Sequence, residues 1–252
     1  NDTEETVDSS RSAIAHYNGT NWQYFAATES YSASLKMYLD ASNTNSYPGT
    51  GTTWFDLTTN GNNGAITGAS WNSTGYFVFA GSNDWIEIED STDTYFAFSD
   101  LIFTQEYWVN IDDVAAAENG LASKRDLGNP GNRSWITSII NSGIIRFIYY
   151  DAFSVSQSIV TASNVVSSST WHQIVITGDG TNCKIYVDGV KKQTTAFSLN
   201  SIKESGADLQ IARRGANSSW KYYNGDISRV RMYDTTLTEN QVYTLFLEGK
   251  GF

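Results

Sequence analysis

From residue 35 onward the chain alternates between apolar and polar positions. In LKMYLD, Leu35, Met37 and Leu39 alternate with Lys36, Tyr38 and Asp40, the two-residue period of a strand with one buried face. GYFVFAG and DWIEIED follow, then EYWVNID, where Tyr107, Val109 and Ile111 share a face. RSWITSII, IIRFIYY and SQSIVTA come next. HQIVIT and KIYVDG are joined by the turn Gly178-Asp179-Gly180, and DLQIARR and GDISRVRMY complete the set. In KIYVDG, Ile185 and Val187 point one way while Lys184, Tyr186 and Asp188 point the other. Stretches rich in Gly, Asn and Thr separate these segments. About a dozen short strands at this spacing predict an all-β fold, an antiparallel two-sheet sandwich or jelly roll.

Three places break the pattern. Residues 1–33 begin with an acidic, polar run without periodicity, expected to be an extended arm. Within them, Asn18-Gly19 sits between two short aromatic-bearing runs, a hairpin signal. Such a hairpin buries little and needs the main domain, residues 34–252, or a neighbouring subunit to pack on. In the last strand, Ile227 and Val230 are three apart and fall on opposite faces, so a bulge near Ser228 is expected to bring both to the core. Finally, Thr238 and Gln241 fit a capping box that opens one short C-terminal helix, with Gly249 as its stop.

Composition narrows the chemistry. The hydrophobic fraction of 40% supports a sizeable core in 252 residues. The net charge of −11 argues against nucleic acid, whose binders cluster Lys and Arg, and against an anionic membrane surface. Cys183 is the only cysteine, so neither an intrachain disulfide nor a cysteine zinc cluster can form. No stretch approaches the roughly 18 apolar residues of a membrane-spanning helix. No signal peptide begins the chain, although a processed one would already be gone.

Four motifs carry a family resemblance. They are the strand Trp171-His172-Gln173-Ile174-Val175-Ile176-Thr177, the hairpin from Asp179-Gly180 to Val187-Asp188-Gly189, residues 225–233, and Leu237-Thr238-Glu239-Asn240-Gln241-Val242. In that order they resemble the Trp-His strand, the Val-Asp-Gly turn, the closing strand and the terminal helix of the laminin-G-like, concanavalin A-like superfamily. That superfamily includes pentraxins and many carbohydrate-binding jelly rolls. The resemblance implies a concanavalin A-like jelly-roll sandwich with one short C-terminal helix. It is specific for fold and poorly specific for function, since one fold hosts many activities. More narrowly, the loop-rich segment from Leu39 to Gly68, followed by GYFVFAGSNDWIEI, resembles domains of tailed-phage virion proteins and secreted bacterial surface proteins, and HYNGTNWQYFA resembles short units of phage tail and capsid-appended proteins.

Catalytic chemistry finds little support in the residues. Glu87 and Glu89 share a strand face, but the paired-carboxylate pattern of the family's polysaccharide hydrolases is absent. His16 and His172 are the only histidines, and no Gly-x-Ser-x-Gly elbow exists. The resemblance implies Ca²⁺ through carboxylate and carbonyl oxygens, with Asp226 at an acidic position of the closing strand; Asp40 and Asp84 are further candidate ligands from loops. Ser228 and Arg229 stand where that family often has Asp and Glu, which weakens the match. For a glycan, ARRGANSSWKYYNGD places Arg213, Arg214, Asn217, Trp220, Tyr222 and Tyr223 in or beside one loop. Aromatic faces and planar polar groups there suit a sugar. The alternative is that one aromatic caps the core and the others line a subunit contact. Trp54 and Trp85 are expected to close the sandwich, by the same resemblance.

The expectation is a non-enzymatic surface protein, a virion decoration, fibre or tail-associated module with lectin-like glycan adhesion. Residues 1–33 would tether it to neighbouring subunits in a homo-oligomer or larger assembly, at a virion surface or extracellularly. The alternatives are a secreted bacterial carbohydrate-binding or adhesion module, and a polysaccharide hydrolase or lyase.

Overall fold

In the computed structural model, the structure describes residues 13–17, 22–26, 34–90, 96–116, 118–129, 131–216 and 221–249. Strands β1 (Ala13–Tyr17) and β2 (Trp22–Ala26) pair antiparallel, with Tyr17 opposite Trp22, and form a sheet of their own. The intervening residues, with the Asn18-Gly19 turn, lie outside the described residues.

The alternating segments pair into two eight-stranded sheets. Their first members are β3 (Leu35–Asp40), β4 (Thr53–Trp54), β5 (Gly64–Thr67), β6 (Ser70–Asn72), β7 (Tyr76–Ala80) and β8 (Trp85–Ile88). Next come β9 (Ile102–Ile111), β10 (Glu118–Arg125), β11 (Arg133–Ile140), β12 (Ile144–Tyr150) and β13 (Ser156–Val160). The last are β14 (Trp171–Asp179), β15 (Asn182–Val187), β16 (Val190–Ala196), β17 (Leu209–Ile211) and β18 (Asn224–Tyr233). The first sheet runs β16-β15-β14-β9-β18-β7-β6, with β3 also on β18. The second runs β13-β12-β11-β10-β17-β8-β5-β4. This is the antiparallel jelly-roll sandwich that the periodicity predicts.

The core lies between the sheets and uses the alternate positions of each strand. Tyr107, Val109 and Ile111 of β9 are fully buried there, as are Trp135, Phe147, Ile174, Ile185 and Trp54. Each such side chain contributes about 1.5–3 kcal/mol by leaving water. The expected bulge is present. Ile227 stands opposite Val109 and Arg229 opposite Trp108, so Ser228 is the extra residue, and both Ile227 and Val230 reach the core. Asp188 and Gly189, with φ of 53° and 72°, make the two-residue turn between β15 and β16. Positive φ at both central positions is what a type I′ hairpin requires.

The helix α1 (Glu239–Gly249) packs on part of the outer face of the first sheet. The capping box forms as read: Gln241 N–H donates to Thr238 Oγ1 at 3.3 Å, and Thr238 N–H donates to Gln241 Oε1 at 2.8 Å. Val242 and Leu245 of α1 pack on Val175, Tyr186, Tyr233 and Leu237 in a second apolar cluster. Phe246 stacks on Trp108 at 5.9 Å. Gly249 is the last helical residue. Its reason is contact, because a Cβ there would stand 2.2 Å from the Trp108 ring. Beneath this face lies a buried polar group. Gln173 Nε2 donates to Glu106 Oε1 at 2.8 Å, and Arg231 Nη1 to Glu106 Oε2 at 3.2 Å. Burial alone would lower the Arg231 guanidinium, but Glu106, with Tyr233 and Tyr38, holds it well above its ordinary value.

Candidate functional site

Strand parity sorts the side chains of the second sheet. On β11, Trp135 and Ile139 join the main core, and Thr137 donates to the buried Gln105 Oε1 at 2.8 Å. Ile136 and Ser138 therefore point outward. Ile136 forms a small separate cluster with Ile148 and Tyr150 of β12, which places Arg146 on the same outer face.

Two register shifts in β10–β11 decide which charged groups join them. Gly120 faces Ser138 while Ala122 faces Thr137, so Leu121 is extra and the strand returns to the core after it. This leaves Glu118 and Gly120 on the outer face. Further along, Lys124 faces Trp135 while Arg125 faces Arg133, so Ser134 is extra. Arg125 and Arg133 become direct neighbours, with the Arg125 guanidinium 5.7 Å from the Tyr150 ring centroid. Such bulges re-aim side chains. Lys124, by contrast, turns to Asp90 Oδ1 and the Ala207 carbonyl, each at 2.7 Å.

A tongue of chain after β17 lies on this face. Arg214 N–H donates to the Lys221 carbonyl at 3.2 Å and Tyr223 N–H to the Ala212 carbonyl at 2.9 Å, while Arg213 and Tyr222 form an antiparallel bridge. The tongue crosses Gly120, where a Cβ would stand 2.5 Å from Arg214 N. The Arg213 guanidinium lies 4.5 Å from the Trp85 ring centroid and 5.4 Å from that of Tyr222. The two rings are 6.2 Å apart. Beside this stack, Glu118 accepts from Arg146, and Lys221 Nζ is 3.6 Å from it. Arg214 Nε lies 3.0 Å from Glu118 Oε1, although its N–H does not point along that line.

The structure thus treats the expected glycan residues unequally. Arg213, Arg214 and Tyr222 come together on the outer face. Tyr223 does not: it is fully buried against Phe79 in the core, and burial, then Asp226 and Asp112, push its hydroxyl well above the usual range. Asn217 and Trp220 lie outside the described residues. Trp54 closes the core as expected, whereas Trp85 points outward and belongs to the site. The participation of Glu118, Arg125, Arg133 and Arg146 has no local signal, because strand pairing and two bulges assemble it.

The three acidic residues suggested for Ca²⁺ are not brought together. Asp40 accepts from Ser42 N–H and Oγ, Tyr38 OH and Arg229. Burial works against its charge, but Arg229, Ser42 and Tyr38 hold its carboxyl below the ordinary value. Asp84 accepts from Ala80 N–H at 2.7 Å. Asp226 accepts from Asn110 Nδ2 at 3.2 Å, and burial together with Asp112 raises its carboxyl to about 6. Among the described residues no three His, Cys, Asp or Glu side chains converge on one point. Ca²⁺ takes six to eight oxygens, so Asp40, Asp84 and Asp226 do not fit it as a set.

Two other features bear on function. Ser167 Oγ is 3.0 Å from His172 Nε2, and His172 Nδ1 is 2.8 Å from Asp188 Oδ2. The string has the order of a hydrolytic triad. Yet the Ser167 backbone N–H also donates to Nε2, at 3.1 Å, and Asp188 Oδ1 accepts from Gln173 N–H. Elsewhere, a cleft of about 210 Å³ is lined by Asp151, Phe153, Ser198, Asn200 and Ser201, with the Phe153 side chain 89% exposed.

The model of the concanavalin A-like lectin/glucanases superfamily, in its laminin G form, matches residues 80–243, well over half of the chain. The chain belongs to this superfamily. No curated protein matches it. Among solved structures, the receptor binding domain of botulinum neurotoxin C/D mosaic serotype superposes with a TM-score of 0.66 at 17% identity, over 86% of this chain and 52% of its own. The botulinum neurotoxin serotype D ligand binding domain, solved in complex with N-acetylneuraminic acid, gives 0.63 at 17% identity, over 86% and 51%. The binding domain of Paraclostridial Mosquitocidal Protein 1 gives 0.64 at 19% identity, over 88% and 53%. The superfamily member described here spans about half the length of these structures, and at such identities the likeness concerns the fold. Among the described residues no helix is long and apolar enough to cross a membrane.

Proposed function

We propose that this lectin-like domain is a non-enzymatic glycan-binding module whose site is the outer face of the second sheet around Trp85, Arg213 and Tyr222. The carrying observation is the stack itself. Two aromatic rings and a guanidinium plane converge on a tongue held against Gly120; Arg213 and Tyr222 are buried in the stack, and the half-buried Trp85 presents the accessible ring. An aromatic face takes the C–H side of a sugar ring, and planar polar groups take its hydroxyls. On the first sheet, α1 covers the face around Val175, Tyr186 and Trp108, and the aromatic pair Tyr76–Trp171 beside it meets edge to face.

In this reading the module works extracellularly, as an adhesion part of a virion appendage, with residues 1–33 tethering it to a neighbouring subunit. A secreted bacterial adhesion module would use the same site. A glycan array tests the reading. Wild type is expected to bind at least one polysaccharide, and Trp85→Ala to lose at least ten-fold in affinity while keeping its melting temperature within a few degrees. A folded wild type that binds nothing on a broad array would overturn it. The mass of the full chain in solution tests the tether: a strict monomer would remove that part.

The hydrolase alternative has one observation in its favour, the Ser167–His172–Asp188 string. A general base needs its lone pair free for the nucleophile's proton. Here the Nε2 lone pair is shared with a backbone N–H, and Ser167 lies on an exposed loop. Glu87 accepts from Gln210 Nε2 at 2.8 Å, and Glu89 falls beyond the end of β8. These groups tie loops and strands together.

A further inference from the structure

The patch beside the aromatic stack is cationic in a chain of net charge −11. Arg125, Arg133, Arg146, Arg214 and Lys221 gather there, five of the 16 Lys and Arg residues. Arg146, Arg214 and Lys221 share the single carboxylate of Glu118, which is 6% exposed. Asp126 follows Arg125, and its Oδ1 accepts from Gly128 N–H at 2.8 Å.

Arg125 is the anomaly. It is 7% exposed, and its Nε and Nη1 are buried without a hydrogen-bond partner, as is Arg133 Nε. Burial pulls the Arg125 guanidinium down; Tyr150 opposes this, and Arg214 and Arg133 push it further down. A buried guanidinium with unmade hydrogen bonds and like-charged neighbours is costly. Two register shifts are spent on placing it. An oxyanion seated among these groups would supply the missing acceptors and the opposite charge. Guanidinium forks match carboxylate and sulfate oxygens in pairs.

We infer that Arg125, Arg133 and Arg214 form an anion subsite that recognises the acid group of an acidic polysaccharide, a uronate carboxylate or a sulfate ester. The inference deepens the glycan reading and rests on it. Arg213 and Arg214 are consecutive, so the sugar ring would lie on the Trp85 stack while its acid group reaches the cations. The overall negative charge restricts this to a local site, in contrast to the broad basic surface of nucleic-acid binders.

The test compares binding of the full chain to laminarin (neutral), alginate (uronate), dextran sulfate (sulfate ester) and a single-stranded DNA oligonucleotide. Alginate or dextran sulfate is expected to bind at least ten-fold tighter than laminarin and DNA, with affinity falling as NaCl rises. The tighter of the two acidic polymers names the anion. Arg125→Gln is expected to lose at least ten-fold toward that polymer. Arg214→Gln and Lys221→Gln, at positions 24% and 21% exposed, carry the test if Arg125→Gln does not fold. Melting at equal ionic strength gives an independent reading: inorganic sulfate over chloride should raise the melting temperature more for wild type than for Arg125→Gln or Arg214→Gln. Laminarin bound as tightly as alginate and dextran sulfate, and unaffected by these substitutions, would overturn the anion subsite and leave the glycan reading standing. DNA bound as tightly as the acidic polymers would also overturn it. Binding to no polysaccharide would overturn both.

Discussion

Glu106→Gln probes the seal on the first sheet. Glu106 is fully buried and holds two partners, Gln173 Nε2 at 2.8 Å and Arg231 Nη1 at 3.2 Å. The substitution keeps volume and one acceptor but removes the charge, and its new amide N–H groups face either the guanidinium or the Gln173 amide. Arg231 then retains Glu248 at 3.4 Å, the Tyr38 hydroxyl at 3.1 Å and the Tyr38 ring at 4.3 Å. Glu248 is 44% exposed, and such a pair is worth only about 0.2–1 kcal/mol. Breaking a buried pair costs about 3–5 kcal/mol, and the retained acceptor argues for the lower end, about 3 kcal/mol. For a chain of this size that is a fall of roughly 6–12 °C in melting temperature. Urea unfolding followed by tryptophan fluorescence, with calorimetry alongside, measures it. Combining Glu106→Gln with Arg231→Met should recover most of the loss, because no charge is left stranded. Polysaccharide binding should not change, since the pair lies under α1 on the opposite sheet. A loss below about 1 kcal/mol would mean that the pair is solvated, and the cover assigned to α1 on the first sheet would be wrong.

Other outcomes follow from single sites. The Asp226 carboxyl, raised to about 6 in the folded chain, titrates near 4 when unfolded. Its contribution to stability therefore improves as pH falls from about 7 through 6 toward 4; Asp226→Asn should flatten that slope in pH-dependent melts and raise stability at pH 7. Gly249→Ala puts a methyl 2.2 Å from the Trp108 ring, which is stacked on Phe246. A loss of about 1–3 kcal/mol is expected in denaturant melts, and an unchanged midpoint would show that the helix end is loose. Ser167 should resist a fluorophosphonate probe, because the His172 lone pair is already engaged; rapid labelling lost in Ser167→Ala would revive the hydrolase alternative.

Much of the fold is written in local order. Alternation at Met37–Leu39 and Tyr107–Ile111, the Thr238–Gln241 box and the three-residue step from Ile227 to Val230 each name a feature that forms as read; Leu35 does not, because a register shift at Lys36 turns it to Tyr233 in the outer cluster under α1. The candidate site is legible only in part. Arg213, Arg214 and Tyr222 are neighbours in sequence, so one loop announces them. Tyr223 shares that loop, but the strand period turns it inward onto Phe79. Trp85 has the look of a core residue until the parity of β8, with Ile86 and Ile88 buried, sends it outward. Arg125, Arg133 and Arg146 lie on three strands, and the bulges that align them depend on pairing across the sheet rather than on any spacing along the chain.

The binding face itself is tested most directly by hydrogen–deuterium exchange of the full chain, with and without the tightest polysaccharide from the binding panel. Protection is expected in residues 118–125, 209–214 and 221–223, with the strand at Trp85 following and the helix at residues 239–249 unchanged. Protection confined to the Phe153–Asn200 cleft or to the first sheet would contradict a glycan site on the outer face of the second sheet.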